Sequence, residues 1–233
     1  MKKCWKTVLF YILSSAILLI CVKICSEAVT AFSELDNAGR NICIVIDPGH
    51  GGEDGGAVSC TGVPESTYNL EISQRLSDLI NLMGYRTIMI RNKDVSVYTN
   101  GETLAQKKVS DLKERVRRVN EISGALFVSI HQNYFSDSKY SGAQVFYAKT
   151  EGSELLAKEL QTELVSELNH GSRREAKISS GIYVMDRIQC PGVLVECGFL
   201  SNPQEEKKLR DATYQKKLSS VIAATVSRYL SNT

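Results

Sequence analysis

Three short apolar runs limit what this chain can become. Ile42 to Ile46 leads into Asp47 and then His50, Leu126 to Ile130 into His131, and Val193 to Val195 into Glu196. Runs this short, rich in β-branched residues and bounded by Gly and polar side chains, predict strands buried on both faces of a parallel sheet. Ligands of open α/β sheets bind outside the carboxyl ends of the strands. The three runs would therefore deliver a metal-capable or acid/base side chain to one edge. That pattern points to a metal-dependent hydrolase.

Histidine is scarce, with only His50, His131 and His170 in the chain, and the first two follow predicted strands. A catalytic zinc commonly has three protein ligands and an open fourth position, with His-His-carboxylate a standard set. The missing carboxylate should lie on the loop or helix start after His50. Spacing alone leaves Glu65, Glu53 and Asp54 open. Glu65 is the best placed, but it reads equally well as an acid near a helix N-terminus, stabilised by the dipole.

Five segments, IVIDPGHGGEDGGA (44–57), ESTYNL (65–70), LKER (112–115), FVSIHQN (127–133) and VLVECGFLSN (193–202), recur in that order from about Asn41 to the C-terminus. Together they resemble the zinc-dependent N-acetylmuramoyl-L-alanine amidases. The resemblance implies Zn2+ as cofactor, His50, Glu65 and His131 as its ligands, Glu196 as the catalytic carboxylate and peptidoglycan as substrate. Zinc lowers the pKa of water and polarises an amide carbonyl; Glu196 would accept the water proton and return one to the leaving amine. Apolar flanks at Val193–Val195 and Phe199–Leu200 predict a partly desolvated carboxyl. Cys197 follows Glu196, and alternation along a strand turns it to the other face, so a Cys–His hydrolase fits poorly.

Other polar residues carry less. Asp47 either orients His50 or stabilises the Pro48–Gly49 turn, the turn being favoured. Arg115 contacts substrate or forms a salt bridge, and Asn133 is a further substrate or supporting candidate. His170 before Gly171 reads as a helix C-terminus rather than a ligand. The glycines at 49, 51, 52, 55 and 56 lack the lysine and spacing of a P-loop and read as backbone curling around the metal.

The organisation predicted is a single α/β domain over residues 41–233, with a mostly parallel twisted sheet flanked by helices and the zinc site at the carboxyl ends of the strands. Strands are expected at Ile42–Ile46, Tyr85–Ile90, Ala125–Ile130, Ala143–Tyr147 and Gly192–Glu196. Helices are expected at about Ser66–Met83, Leu112–Ile122, Glu154–Leu168 and Ala212–Leu230. Asn92–Ser110 is expected as a polar, irregular surface excursion.

The N-terminus differs in kind. Lys2, Lys3 and Lys6 precede a largely apolar run from Thr7 to Val22, which predicts a signal peptide or signal anchor over 1–31, a linker over 32–40, and an extracytoplasmic protein. Ile20 before Cys21 argues against a lipoprotein signal. The chain carries +2; residues 1–31 hold four lysines and one glutamate, +3, leaving −1 for the remainder. Nothing there suggests nucleic acid. Of the cysteines beyond the signal, Cys43 and Cys197 are expected in the core. Cys60 and Cys190 should sit at opposite edges of the sheet, unbridged, because roughly 20 Å of strand separates those edges and a disulfide needs Cα atoms about 4.4–6.8 Å apart.

An export segment plus one catalytic domain is similar to the germination-specific amidases of endospore formers, which implies a role in spore-cortex synthesis leading to muramic δ-lactam. A zinc-dependent peptidoglycan-binding module without turnover and a stem-peptide metallopeptidase are the alternatives. With one domain, no repeats and a near-neutral charge, delivery to an insoluble glycan is expected to need an accessory protein or the membrane tether. The 92–110 excursion, with Tyr98, Asn100, Lys107 and Lys108, reads as a docking surface or, more simply, as a solvated loop.

Overall fold

Short continuous apolar runs alternate along this chain with segments of period near 3.6, and the computed structural model arranges them as one mixed sheet between helices. It describes residues 20–24, 27 and 42–232. Residues 20–24 and 27 are helical; the rest of the expected export segment and the linker lie outside the described residues. Among those described, no helix is long and apolar enough to cross a membrane.

The strands are β1 (Cys43–Pro48), β2 (Arg86–Met89), β3 (Ala125–Asn133), β4 (Gln144–Tyr147), β5 (Lys177–Ile178) and β6 (Gly192–Phe199). The helices are α1 (Glu65–Leu82), α2 (Leu104–Asn120), α3 (Ser153–Glu167), α4 (Pro203–Leu209) and α5 (Ala212–Asn232). The sheet order is β2-β1-β3-β6-β4-β5. Strands β2, β1, β3 and β6 run parallel, while β4 pairs antiparallel with β6 and carries β5 parallel beside it.

Two apolar layers cover the sheet. Ile44, Ile46, Leu126, Val128, Ile130, Val193 and Val195 pack with Ile72, Leu76 and Ile80 of α1, Leu156, Leu160 and Leu164 of α3, and Leu218, Ile222 and Val226 of α5. On the other face Val45, Phe127 and Leu194 pack with Val119 of α2 and with Val184, Met185 and Ile188. The side chains alternate as strand geometry requires. Cys197 joins the first layer, while Asp47, Ser129 and Glu196 follow the parity of the second.

Three expectations need correction. The excursion over 92–110 ends early, because α2 starts at Leu104 rather than Leu112. Its start is a capping box: Gln106 N–H donates to Thr103 Oγ1 at 3.3 Å, and Gln106 Oε1 accepts from Thr103 N–H at 3.2 Å. Strands β3 and β6 run on to Asn133 and Phe199, so His131 lies within its strand rather than beyond the end, Glu196 is interior rather than terminal, and the two are register partners. The small elements β5 and α4 had no periodic signal long enough to announce them. Cys60 and Cys190 are both free, as expected.

Stagger exposes the site. β1 stops at Pro48, opposite Ile130, while β3 and β6 outlast it and carry His131 and Glu196 past its end. The loop after β1 turns back over that step.

Candidate active site

His50 sits in the turn after β1, with φ +59°, the one non-glycine with positive φ among the described residues. This left-handed backbone is costly for a residue with a Cβ and turns the imidazole inward. Gly49 is required for a different reason, clearance, and Gly56, itself at φ +71°, for both. A Cβ on Gly49 would lie 2.2 Å from the His131 ring, and one on Gly56 would lie 2.6 Å from Glu65 Oε2.

Glu65 opens α1. Its Oε2 lies 3.3 Å from His50 Nε2, and its Oε1 lies 3.0 Å from His131 Nδ1. Candidate donor atoms of His50, Glu65 and His131 all fall within 4.8 Å of one another. The carboxylate is held from behind: Oε2 accepts from Ala57 N–H at 3.0 Å, and Oε1 from Gln132 N–H at 3.1 Å and Asn69 Nδ2 at 3.2 Å. Burial alone would raise the Glu65 pKa, but the two histidines outweigh it and hold the carboxyl far below its usual range. Burial would likewise lower His50, yet its bonds to Asp54 and Glu65 raise it to about 9. Both shifts describe a buried carboxylate that favours positive charge between two imidazoles. Two ring nitrogens and a carboxylate converging there fit the donor set of a borderline divalent cation.

Asp54 is the orienting group for His50. Its Oδ2 lies 2.9 Å from His50 Nδ1, which fixes the tautomer with Nε2 facing Glu65. The bond from His50, against some burial, depresses the Asp54 pKa. Lys108 of α2 lies 3.2 Å from the same oxygen. Glu53 instead pairs with Lys107 at 2.9 Å and stays outside the cluster. The two acids left open beside Glu65 thus have other tasks. The Lys107–Lys108 pair, part of the expected docking surface, is committed to the loop that carries His50.

Glu196 faces the cluster from β6. The residue is partly exposed to the cleft, but its Oε2 has no solvent contact and no hydrogen-bond partner. Burial raises its pKa to about 7, with His131 opposing and Glu65 adding to the rise. A cleft of about 250 Å³ holds these groups together, lined by His50, Asp54, His131, Glu196 and the apolar Ile182 and Met185, among others.

Asp47 and Arg115 follow the turn and salt-bridge readings rather than the alternatives of orienting His50 or lying free. Asp47 is buried, accepts from Ser129 Oγ at 2.9 Å and from Arg115 Nη1, and does not orient His50. Arg115 is 2% exposed. It donates to Asp111 at 2.6 Å, to the Pro48 carbonyl at 3.0 Å and to the His50 carbonyl at 2.7 Å. Arg115 therefore braces the turn through a buried charge network while also lining the cleft. Asn133 lies past a β-bulge at the end of β3; its carbonyl accepts from Leu200 N–H at 2.8 Å, and it does not line the cleft. His170 is exposed beyond the end of α3. Cys197 lies fully buried in the opposite layer, and burial pushes its thiol up, which removes a cysteine nucleophile. Sequence reasoning missed Asn69 and Gln132 as supports of Glu65. A buried asparagine one helical turn after a candidate ligand was the available signal.

Residues 44–228 match the family model described as N-acetylmuramoyl-L-alanine amidase. The chain belongs to the N-acetylmuramoyl-L-alanine amidase family. It is 39% identical over 188 residues to the germination-specific N-acetylmuramoyl-L-alanine amidase of Bacillus subtilis (strain 168), covering 80% of this chain and 78% of that protein. The amidase LytC of the same strain is 32% identical, but this chain spans only 37% of its length. Among solved structures, the CwlD amidase of Clostridioides difficile in complex with the GerS lipoprotein superposes with a TM-score of 0.79 at 40% identity, covering 83% of this chain and all of that one. The enzyme is thus an amidase of this family, and the cleft at the end of β3 and β6 is its candidate active site.

Proposed function

We propose that this amidase is a zinc hydrolase that cleaves the bond between the muramic acid lactyl group and L-alanine of peptidoglycan stem peptides. The observation that carries the reading is the pairing of a three-ligand cluster with an unpartnered, desolvated Glu196 carboxylate in one cleft. His50, Glu65 and His131 would hold the metal. Zinc in such a set supplies Lewis acidity toward an amide carbonyl and toward water. Glu196, with its pKa raised to about 7, takes the proton of the attacking water and returns one to the departing amine. Asp54 keeps His50 in the tautomer with Nε2 free, and the apolar wall of Ile182 and Met185 limits competing water.

The spore role and the export belong to the same proposal. The germination-specific relative at 39% identity supports cortex peptidoglycan as substrate. The basic and apolar N-terminal segment over 1–31 supports an extracytoplasmic enzyme, secreted or anchored. The relative solved with a lipoprotein supports an accessory partner for delivery or activation.

Digestion of purified cortex and vegetative peptidoglycan, with mass spectrometry of the products, tests the reading. A free muramoyl lactyl group is the expected product, with δ-lactam precursors from cortex. A cut between amino acids makes the enzyme a stem-peptide peptidase, and binding without any product makes it a module without turnover.

A further inference from the structure

Two buried side chains that touch no reacting atom tie the three ligand-bearing segments together. Asn69 of α1 has no solvent exposure. Its Nδ2 donates to the Gly49 carbonyl at 3.1 Å and to Glu65 Oε1 at 3.2 Å, and its Oδ1 accepts from Gln132 Nε2 at 3.2 Å. Gly49 precedes His50, Gln132 follows His131, and Glu65 lies one turn back on the same helix. One amide group therefore reaches all three segments.

Arg91, just beyond β2, is 3% exposed. Its Nε donates to the Pro48 carbonyl at 3.0 Å, its Nη2 to the Gly49 carbonyl at 3.0 Å and to the Ser66 carbonyl at 2.9 Å, and its Nη1 to the Lys93 carbonyl at 2.9 Å. It bridges the turn before His50 to the first turn of α1 beside Glu65. The bridge matters because His50 holds a left-handed backbone, which persists only where its surroundings impose it. The carbonyls of residues 48 and 49 are buried acceptors that must be paired, and Arg91 and Asn69 meet at the second of them.

We propose that Asn69 and Arg91 are positioning residues of the metal centre. Through the Gly49 carbonyl they set the separation of His50, Glu65 and His131 before a metal arrives. This rests on the reading of those three residues as metal ligands. A lysine at 91 keeps the charge but lacks the planar fork that spans several carbonyls, and an alanine at 69 removes one bond each from the Gly49 carbonyl and Glu65 Oε1 and leaves Gln132 Nε2 unpaired.

The test compares Asn69→Ala and Arg91→Lys with Gln161→Ala in the full chain. Gln161 is an equally buried amide on α3, bonded to Val145 N–H at 2.8 Å and to the Ala143 carbonyl at 3.2 Å, away from the cleft. Zinc affinity is read by chelator competition, and metal-free hydrogen exchange at Gly49 and Gly51, whose amides bond Ile130 and Asp54 carbonyls. Both clamp variants should bind zinc about 10–100-fold more weakly and exchange faster at those amides, whereas Gln161→Ala should do neither at a comparable loss of stability. If Asn69→Ala does not fold, Arg91→Lys decides. Parental affinity and exchange in Arg91→Lys overturn the proposal, as does an equal zinc loss per folded molecule in Gln161→Ala. A parent enzyme that binds no zinc overturns the ligand reading instead, and exchange at Gly49 and Gly51 then decides the clamp alone.

Discussion

Replacing Glu196 by glutamine should cost the enzyme its turnover and reverse part of its pH sensitivity. Burial moves this carboxyl from an ordinary 4.5 to about 7. In metal-free protein below pH 4.5, folded and unfolded chains both hold the proton and the group contributes no difference. Between 4.5 and 7 the unfolded chain has released the proton while the folded one retains it, so native stability falls as pH rises. Each tenfold in that equilibrium is worth about 1.4 kcal/mol, so by pH 8 the ionised carboxylate destabilises the fold by roughly 3 kcal/mol. Glutamine has the same shape and never ionises. Its amide adds a fixed cost at an unpartnered site, and this cancels when one variant is followed across pH. Urea denaturation of metal-free parent and Glu196→Gln at pH 4 and pH 8 should therefore show the difference shifting by roughly 3 kcal/mol in favour of glutamine. Hydrolysis should fall about 10²–10⁴-fold, with zinc content retained. Parallel stability curves across that range, or near-parental hydrolysis, would refute the assignment of Glu196 as a desolvated proton carrier.

Four further outcomes are expected. His50→Ala and His131→Ala should each lose bound zinc on purification, and unchanged metal content in both removes them as ligands. Asp54→Ala should weaken zinc binding about 10–100-fold by freeing the His50 ring; equal affinity in a competition titration means that the 2.9 Å contact orients nothing. Thr103→Ala should cost about 1 kcal/mol in chemical denaturation by removing the cap of α2, and no change places the start of that helix elsewhere. Residues 32–233 alone should act more slowly on intact sacculi than in an extract of the native compartment, while full activity alone dispenses with partner and tether.

Much of the architecture was legible because side-chain period and burial are local properties. The runs before Asp47, His131 and Glu196 declared central strands, and α1, α3 and α5 followed from their apolar faces. The α2 start was also written locally, in Thr103 and Gln106, but the polar composition of 92–110 obscured it. The antiparallel insertion of β4 beside β6 was not legible, since strand direction depends on which partner edge is free when the chain returns.

The site divides along the same line. The sequence by itself determined which chemistries were present: two histidines and an acid after buried strands, with motif order that resembled one amidase family. The tertiary structure decided which acid took which task. Asp54 rather than Asp47 orients His50, Arg115 braces a turn, and Asn69 and Arg91 join segments that are distant along the chain. A side chain's identity is local, but its partner is chosen by the stagger of β1 against β3 and by the need to pair every buried carbonyl. Both conditions exist only once the sheet has formed.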